Sequence, residues 1–266
     1  MGRTTTINWK WVRKAVLSKT VYRGAISIAA VIAIWELGAR FHLPILGAIP
    51  APSDVMAQLG KIVLDPKFWE NWGASFTRVL IGFVAAQIVG IPVGLAMAIS
   101  RVSRETIFPA LEIMRPIPPL AWVPAAIIFW PTTEESIAFV IFLGAFFTVV
   151  LNVLGGARNI DVRYLRAARS LGSRRRDIFF RIVLPATLPS IFIGMAVGMG
   201  ITWEVVVAAE MIAGKSGLGY LTWSSYVGGN YPLIVIGMIS IGIAGYVSSS
   251  LIRLAGQLVT PWQRLF

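Results

Sequence analysis

Long apolar runs separated by shorter polar stretches dominate the chain. About 20 consecutive, mostly apolar residues suffice for an α-helix to cross the hydrocarbon core of a bilayer. Runs of this kind lie at residues 24–41, 76–100, 117–131, 136–154, 187–211 and 232–255. The third run is short and is interrupted by prolines. The pattern predicts an all-α membrane protein with about six transmembrane helices.

Composition strengthens this prediction. Of the 266 residues, 56% are hydrophobic and 14% are charged, which is more apolar surface than a soluble domain of this length can bury. The sequence contains no cysteine, so disulfides, thiolate chemistry and cysteine metal sites are excluded. The one histidine, His42, follows the first run and is expected to be a solvated loop residue. No metal site is expected.

The net charge of +12 is distributed unevenly along the chain. If the N-terminus is cytoplasmic, all but five of the 24 Lys and Arg residues fall in segments that face the cytoplasm. The exceptions are Arg40, Lys61, Lys67, Arg78 and Lys215. Because cytoplasmic loops of membrane proteins are rich in Lys and Arg, the pattern predicts that both termini are cytoplasmic. It also argues against a nucleic-acid partner, and it indicates that the lipid bilayer surrounds the chain.

Residues 1–23 are predicted to form a cytoplasmic, interfacial N-terminal segment, and residues 24–266 the transmembrane domain. The segment is basic but lacks a short apolar core followed by a small-residue cleavage site, so no cleaved signal peptide is expected. Trp9, Trp11, Val12 and Val16 are predicted to face lipid while the lysines face the headgroups.

The stretch after the first run is rich in proline and is expected on the outer side of the membrane. Glu36 and Arg40 are four residues apart, a spacing at which helical residues form ion pairs. Ser53 is a suitable N-cap for a following helix. We expect this stretch to lie along the membrane surface, where an outer partner can contact it.

The third run, "LEIMRPIPPLAWVPAAIIFWP", contains four prolines between residues 116 and 124. Proline removes a backbone donor, and irregular backbone at bilayer depth survives only when it is buried or lines a watery cavity. A helix that begins again near Leu120 would aim the N–H groups of Leu120, Ala121 and Trp122 at an anion. A cytoplasmic loop in which the prolines only break helices explains the sequence equally well.

Several polar side chains lie inside the apolar runs. Thr148 and Asn152 share one helical face, where they either bond a neighbouring helix or line a path. Glu204 has no basic residue close to it in sequence, whereas Lys215 is near enough to neutralise Glu210. Acids inside a membrane span are costly and therefore indicate a function. The predicted translocation-path residues are Trp122, Thr148, Asn152, Trp203 and Glu204.

The sequence "AEMIAGKSGLG" contains Gly-Lys-Ser, the end of a phosphate-binding loop. The full motif requires glycine where Ala209 stands, and it requires a preceding strand, whereas a membrane helix is predicted here. This is therefore not a nucleotide site. Because no other catalytic constellation is present, the chain is not expected to be an enzyme.

The polar segment between the fourth and fifth runs, residues 156–186, contains "LRAARSLGSRRRDIFFRIVLP". A helix is predicted to end at a left-handed Gly172. Ser173 is then expected to cap a second helix, and Pro185 to begin the next membrane helix. Ala167 and Ala168 are predicted to leave a shallow spot for another protein. From their chemistry alone, the surrounding arginines are suited to acids on that protein or to lipid headgroups.

The order Ala-Ala-x-x-x-Gly, nine residues, then Ile-x-Leu-Pro resembles the "EAA" loop of the permease subunits of bacterial ABC importers. Arg166 stands where that family has glutamate. Further stretches, including "RPIPPLAWVPAAIIFW" and "VLPATLPSIFIGMAVGMG", are similar to the nitrate/sulfonate/taurine branch. The resemblance implies an ATPase-coupling loop at Arg166, Ala167, Ala168, Leu171, Gly172, Ser173, Ile182, Leu184 and Pro185.

The resemblance further implies a type I importer architecture in the bacterial inner membrane. The implied partners are a second, identical permease subunit, two cytoplasmic ATPase subunits that bind ATP and Mg²⁺, and a periplasmic or lipid-anchored solute-binding protein. No cofactor is expected on this chain itself. The implied solute is a small oxyanion: taurine or another organosulfonate, nitrate or bicarbonate. Aromatic acids and vitamin precursors are alternatives within the same class, and a secondary transporter that works without ATP is the alternative outside it.

Overall fold

A computed structural model describes residues 19–44 and 46–262, and the predicted lipid-facing residues Trp9, Trp11, Val12 and Val16 lie outside these ranges. The described residues are helical, with no strand among them. The α-helices are α1 (Lys19–Arg40), α2 (Pro52–Ile62), α3 (Pro66–Ile99), α4 (Arg101–Met114), α5 (Val123–Phe129), α6 (Thr133–Arg158), α7 (Val162–Ser170), α8 (Arg175–Ile178), α9 (Leu184–Ala213), α10 (Leu218–Val227) and α11 (Tyr231–Val259). Short 3₁₀ turns cover Leu46–Ala48 and Pro119–Trp122, and a π-helical turn covers Phe179–Val183.

Five helices are long and apolar enough to cross a bilayer: α1, α3, α6, the joined α8–α9 and α11. The sixth candidate span is a broken one, in which α4 and the segment that ends in α5 meet at 86°. The predicted fold class, an all-α membrane protein with about six spans, is therefore confirmed. The orientation of the two ends relative to the cytoplasm stays a prediction, because no membrane is present.

Several element boundaries differ from the sequence prediction. The second span was predicted to begin at residue 76, but α3 begins at Pro66, where the Asp65 side chain caps the helix by accepting from Lys67 N at 2.9 Å. Residues 101–114 lie between two predicted runs, and they form α4, capped by the Ser100 side chain. Local capping residues thus extend the helical structure beyond the apolar runs.

The predicted cap at Ser53 is wrong, since the N-cap of α2 is Ala51 and proline occupies the first turn. The Ser53 hydroxyl instead donates to Glu36 Oε1 at 2.8 Å and accepts from Arg40 Nη2 at 2.9 Å. The predicted pair of Glu36 and Arg40 is confirmed, with Arg40 Nε 2.9 Å from Glu36 Oε1. These bonds fix α2 to the end of α1.

The centre of the molecule is α6, which packs against α3 on one side and against α9 on the other. Small residues permit the close approach: a Cβ added at Gly94 of α3 would lie 2.8 Å from the Val153 side chain, and one added at Gly194 of α9 would lie 2.7 Å from Asn152 Cβ. Small residues of this kind are expected where helix backbones approach each other within a membrane.

The outer faces of the helices are apolar. On α1, Ile28, Val31 and Ile34 are 64%, 64% and 63% exposed, a surface suited to lipid hydrocarbon. The bundle has two ends. One end, here called the hairpin end, contains the C-terminal ends of α3 and α6 and the N-terminal end of α9. It also contains the helical hairpin between α6 and α9, which runs from α7 through α8 to Val183. The opposite end, here called the Arg78 end, contains the N-terminal ends of α3 and α6 and the C-terminal end of α9.

Candidate functional site

The first arm of the hairpin is α7. Its N-cap is Asp161, whose side chain accepts from Arg163 N and Arg163 Nε, each at 2.8 Å. The hydrogen bond from the Arg163 side chain, reinforced by the one from its backbone N–H, lowers the pKa of the Asp161 carboxyl below its ordinary value. The carboxylate therefore stays ionised, which favours the start of a helix.

The turn at the end of α7 is the one that the sequence predicts. Gly172 has φ +77°, a backbone conformation that favours glycine. Its N–H donates to Arg169 O at 3.0 Å, and Ser173 N donates to Ala168 O at 3.0 Å. These two bonds together form a Schellman motif. No atom lies within 4 Å of a Cβ added at Gly172, so the turn stands in open space.

The second arm differs from the prediction at its start. Ser173 does not cap it, because the N-cap is Arg174 and no side chain makes a capping bond there. Pro185 lies in the first turn of α9, as predicted. The backbone is already helical before it, because α8 and the π-helical turn join α9 in one span from Arg175 to Ala213. The π-helical turn Phe179–Val183 directly precedes Leu184 and Pro185. A wider turn at this point accommodates a residue that has no N–H and that crowds the preceding turn.

The hairpin has a small core of its own. Ala168, Ile178 and Val183 are each 8% exposed and pack together with partly buried neighbours that include Leu165 and Ile182. Ala168 therefore holds the two arms together, and the expected shallow spot at Ala167 and Ala168 is wrong for Ala168. Leu184 and Pro185 are also partly buried.

The exposed tip consists of the other predicted loop residues. Leu171 is 86% exposed, and Arg166, Ala167 and Gly172 are exposed as well. Ser173, which follows Gly172 in the turn, is partly buried. The structure thus divides the predicted loop residues into an inward, structural set and an outward set at the tip.

Positive charge surrounds the tip. The exposed arginines are Arg166, Arg169, Arg174, Arg175, Arg176 and Arg181. Within the described ranges, none of these six forms an ion pair with a carboxylate. A cavity of about 720 Å³ lies between the hairpin and the end of α3, with Ile99, Leu165, Arg169 and Arg175 among its lining residues. An acidic surface is the electrostatic complement of this region.

The proline-rich segment does restart as a helix where the sequence predicts, with a 3₁₀ turn at Pro119–Trp122 that leads into α5. The expected trio of free N–H groups is wrong, however, because Ala121 N donates to Pro118 O at 2.9 Å. Trp122 packs against the same buried clusters as Phe142 and Phe146 of α6. This segment is consequently anchored to the central helix.

The five predicted path residues lie in different surroundings. Thr148 Oγ1 donates to Gly144 O at 3.3 Å and Asn152 Nδ2 donates to Thr148 O at 2.8 Å, so both bonds stay within α6. Trp203 is 2% exposed, and its Nε1 donates to Ser248 Oγ of α11 at 3.0 Å. Glu204, the next residue, is exposed on the surface of the bundle. A role for these residues in translocation stays a prediction.

An ionic network at the Arg78 end was not predicted. Arg78 Nε and Nη2 donate to the two carboxylate oxygens of Glu134 at 2.6 and 2.5 Å. Nη1 donates to Glu210 Oε1 and to Ser216 O, both at 2.7 Å, and Nη2 donates to Ser216 Oγ at 3.1 Å. All five N–H donors of the guanidinium are thereby used. The Arg78 side chain is 5% exposed, Glu210 is 0% exposed and Glu134 is 63% exposed.

The partner predicted for Glu210 is therefore wrong, since Lys215 is exposed and Arg78 occupies the carboxylate. Glu210 also accepts from Ser75 Oγ at 2.8 Å and from Gly219 N at 2.9 Å. Charge-assisted bonds from several donors are what a fully buried carboxylate requires.

The glycines of the Gly-Lys-Ser stretch serve this network. A Cβ added at Gly217, where φ is +117°, would overlap the Glu210 carboxylate, and one added at Gly219 would overlap the Val207 backbone. Gly217 N donates to Asn71 Oδ1 at 2.7 Å. The stretch that resembles a phosphate-binding loop is therefore a turn packed closely around a buried acid. In residues 19–44 and 46–262, no three His, Asp or Glu side chains are grouped in a way that could hold a metal ion.

Comparison with known proteins gives three consistent findings. Residues 90–265 match the family described as "Binding-protein-dependent transport system inner membrane component". The chain is 34% identical over 259 residues to the nitrate import permease protein NrtB of Synechocystis, covering 92% of each chain. It is 31% identical over 261 residues to the taurine transport system permease protein TauC of Escherichia coli, covering 96% of this chain and 94% of TauC.

Solved structures show a related fold. An inward-facing structure of the MetNI methionine ABC transporter contains a chain that matches with a TM-score of 0.60 at 20% sequence identity. The match covers 75% of this chain and 99% of the other. At this identity the likeness concerns the fold alone, and it agrees with the architecture predicted from the sequence.

Proposed function

Because the chain belongs to the family of binding-protein-dependent transport system inner membrane components, as an ABC importer permease of the nitrate/taurine type, we propose that it moves a small oxyanion across the bacterial inner membrane. A partner ATPase drives the movement by hydrolysing ATP. The proposed solute is nitrate, bicarbonate or an organosulfonate such as taurine. The names of two relatives point to nitrate and to taurine. The chain itself is a multi-pass membrane subunit.

The observation that carries the proposal is the connection of the hairpin tip to a membrane-spanning helix. From Arg175 to Ala213 the chain is one helical span of 39 residues, about 58 Å long at 1.5 Å per residue. The hairpin core of Ala168, Ile178 and Val183 fixes α7 to the start of this span. A displacement at Leu171 and Gly172 is therefore transmitted to α9 with little loss in the turn.

The opposite end of α9 supports the same proposal. Glu210 lies in its last turn and joins Arg78 of α3 and, through Arg78, Glu134 of α6. The three central helices thus move as a group at that end. Rigid-body motion of packed helices about an interface is a known way to alternate between two states. A ligand shifts an equilibrium between two states only if it binds one state more tightly than the other. ATP therefore acts through the partner ATPase, which binds it with different affinity in the two states.

The proposed assembly has two copies of this chain, two ATPase subunits and a solute-binding protein. The tip at Leu171 inserts into an apolar groove of the ATPase, and the surrounding arginines face acids on its rim. ATP and Mg²⁺ bind to the ATPase and not to this chain. The exposed leucine and the unpaired guanidiniums of the tip support this arrangement.

The experiment that tests the proposal is Gly172→Asp in the complete transporter reconstituted in liposomes. Aspartate tolerates the left-handed backbone better than most residues, and no atom lies near the Gly172 side-chain position. The fold is therefore expected to survive, while the new charge at the tip disrupts docking. We expect solute-stimulated ATP hydrolysis and uptake to be lost.

Gly229→Asp is the matched control. Gly229 also has a left-handed backbone, φ +71°, with open space around its side-chain position, and it lies between α10 and α11, away from the hairpin. This variant should retain stimulated ATP hydrolysis. If Gly172→Asp retained it too, the assignment of the tip as the coupling element would be wrong.

A further inference from the structure

Glu204 is an exposed acid on a membrane-spanning helix. Its sequence neighbours Trp203 and Val205 are 2% and 4% exposed, whereas Glu204 lies on the exposed face of α9. At 1.5 Å per residue it lies about 13 Å along the helix axis from Ala213, the last residue of α9. With a hydrocarbon core about 30 Å thick, this places the carboxylate well inside the bilayer region.

The rotation of α9 is fixed by Trp203. Its indole Nε1 donates to Ser248 Oγ at 3.0 Å, and its ring would lie 3.5 Å from a Cβ added at Gly245. Because Trp203 is held against α11 in this way, the neighbouring Glu204 is turned away from the core. The carboxylate cannot enter the bundle interior without breaking this contact.

The face around Glu204 is open and apolar. Gly200 is one turn away, and a Cβ added there would meet no atom within 4 Å. Val197, on the same helical face, is 50% exposed. Residues four and seven positions apart share one face of a helix. Glu204 thus borders a notch left by Gly200, with apolar surface beyond it.

No basic residue of the described spans lies at this level. Arg78 is at the Arg78 end, and its five donors are already used. Arg253 of α11 donates to Ser250 Oγ and lies beyond Ser248 toward the hairpin end. A second copy in the same membrane plane would hold the described basic residues at the same depths, so those residues do not supply a cation at this level either. The Glu204 carboxylate does not face lipid hydrocarbon either, because an ionised carboxylate in hydrocarbon has a high free-energy cost.

We propose that Glu204 faces the translocation path and receives the ammonium group of a zwitterionic solute, an aminoalkanesulfonate or a related amino acid. This inference rests on the proposed function and narrows its solute class. A carboxylate repels a simple oxyanion such as nitrate or bicarbonate, whereas it attracts an oxyanion that also carries an ammonium. The notch at Gly200 gives room for the solute, and Val197 provides apolar surface for its carbon chain.

The test uses the complete transporter in proteoliposomes with its own binding protein. Uptake of taurine is compared with that of isethionate, which replaces the ammonium with a hydroxyl and keeps the sulfonate. Glu204→Gln removes the charge with almost no change in volume, and Glu204→Asp keeps it. The uptake rate of each solute by a variant is divided by the rate of the same solute by the wild-type transporter. The binding protein is unchanged, so its own preference between the two solutes cancels in this ratio. Assembly is checked by copurification of the ATPase.

We expect Glu204→Gln to lower relative taurine uptake by about tenfold or more, since the bond lost is one between charged groups. Isethionate uptake should stay at the wild-type level or rise, and Glu204→Asp should retain the preference for taurine. Equal losses for both solutes, or no loss for taurine, would overturn the inference while leaving the proposed importer intact. A wild-type complex without ATP-dependent uptake of any oxyanion would instead overturn the proposed function.

Discussion

Arg78 Nη1 lies 2.7 Å from Glu210 Oε1, an ion pair between residues 132 positions apart in the chain. It connects α3 to α9 at the end of the bundle opposite the hairpin. The Glu210 side chain is completely buried and that of Arg78 nearly so. A buried pair is expensive to form, and the loss of one member is worse, because the other is left charged and without a partner. The pair is therefore a point at which the fold is sensitive to a single substitution.

Arg78→Met is expected to destabilise the folded protein strongly, by about 3–5 kcal/mol, because it leaves Glu210 buried and unpaired. Thermal unfolding of the purified chain in detergent measures this. Glu134→Gln is the control: Glu134 also bonds Arg78 but is 63% exposed, so water replaces much of what is lost and the decrease should be small. Equal effects of the two substitutions would show that burial of the pair is not what matters.

The turn around Glu210 gives a second prediction. Gly217 has φ +117°, and a Cβ at this position would overlap the Glu210 carboxylate. Gly217→Ala should therefore displace the acid and lower the unfolding temperature substantially. Gly229→Ala also places alanine at a positive φ, +71°, but with no atom within 4 Å of the added Cβ. It should show only the strain of the backbone, about 1–2 kcal/mol. A smaller effect at Gly217 than at Gly229 would contradict the close packing described here.

Two adjacent glycines near the end of α6 give a sharp contrast. A Cβ added at Gly156 would overlap the Ser190 side chain of α9, whereas one added at Gly155 would meet nothing within 4 Å. Gly156→Ala should force α6 and α9 apart and destabilise the bundle. Gly155→Ala should be neutral or should stabilise it by up to about 1 kcal/mol, because alanine favours a helix. Thermal unfolding of the two variants checks the prediction, and the reverse order would mean that the helices pack in another register.

The tip of the hairpin gives a prediction about binding of the ATPase, and not about the stability of the fold. Leu171 is 86% exposed, so Leu171→Glu should leave the unfolding temperature unchanged while reducing copurification of the ATPase. Leu64 is 83% exposed at the other end of the molecule, and Leu64→Glu should affect neither quantity. Normal ATPase recovery with Leu171→Glu would show that the apolar tip is not part of the contact.

Features that depend on local chemistry could be predicted from the sequence. The five long apolar helices follow from the lengths of the apolar runs. The left-handed turn at Gly172 follows from glycine between two helical segments. The Glu36–Arg40 pair follows from spacing on one helix. In each case the interacting residues are neighbours in the chain, so a short window contains all the information.

Features that depend on contacts between residues far apart in the chain could not be predicted from the sequence. Lys215 appeared to be the partner of Glu210 because it is near in sequence, but α3 brings Arg78 to the carboxylate and Lys215 remains exposed. A signal did exist, since an arginine inside an apolar run requires an acid somewhere. The sequence does not say which of the acids it is.

The prediction of helix boundaries in the hairpin was inaccurate for a related reason. Ser173 has the right chemistry for a cap, yet α8 begins at Arg175 without a side-chain cap. Pro185 does lie in the first turn of α9, but the backbone is already helical before it. The hairpin core formed by Ala168, Ile178 and Val183 favours this continuous path. Tertiary packing here overrides the local preference, and the π-helical turn at Phe179–Val183 accommodates the proline.

The measurement that tests the account most directly uses the absence of cysteine from the sequence. Leu171→Cys introduces a single thiol at the hairpin tip, which is then probed in intact cells and in inverted membrane vesicles. We predict that a membrane-impermeant maleimide fails to label it from outside, and that a short bifunctional reagent cross-links it to the ATPase in vesicles, with a yield that changes when ATP is added. Labelling of the thiol from outside intact cells, together with no cross-link to any ATPase, would contradict the claim that this hairpin couples ATP hydrolysis to transport.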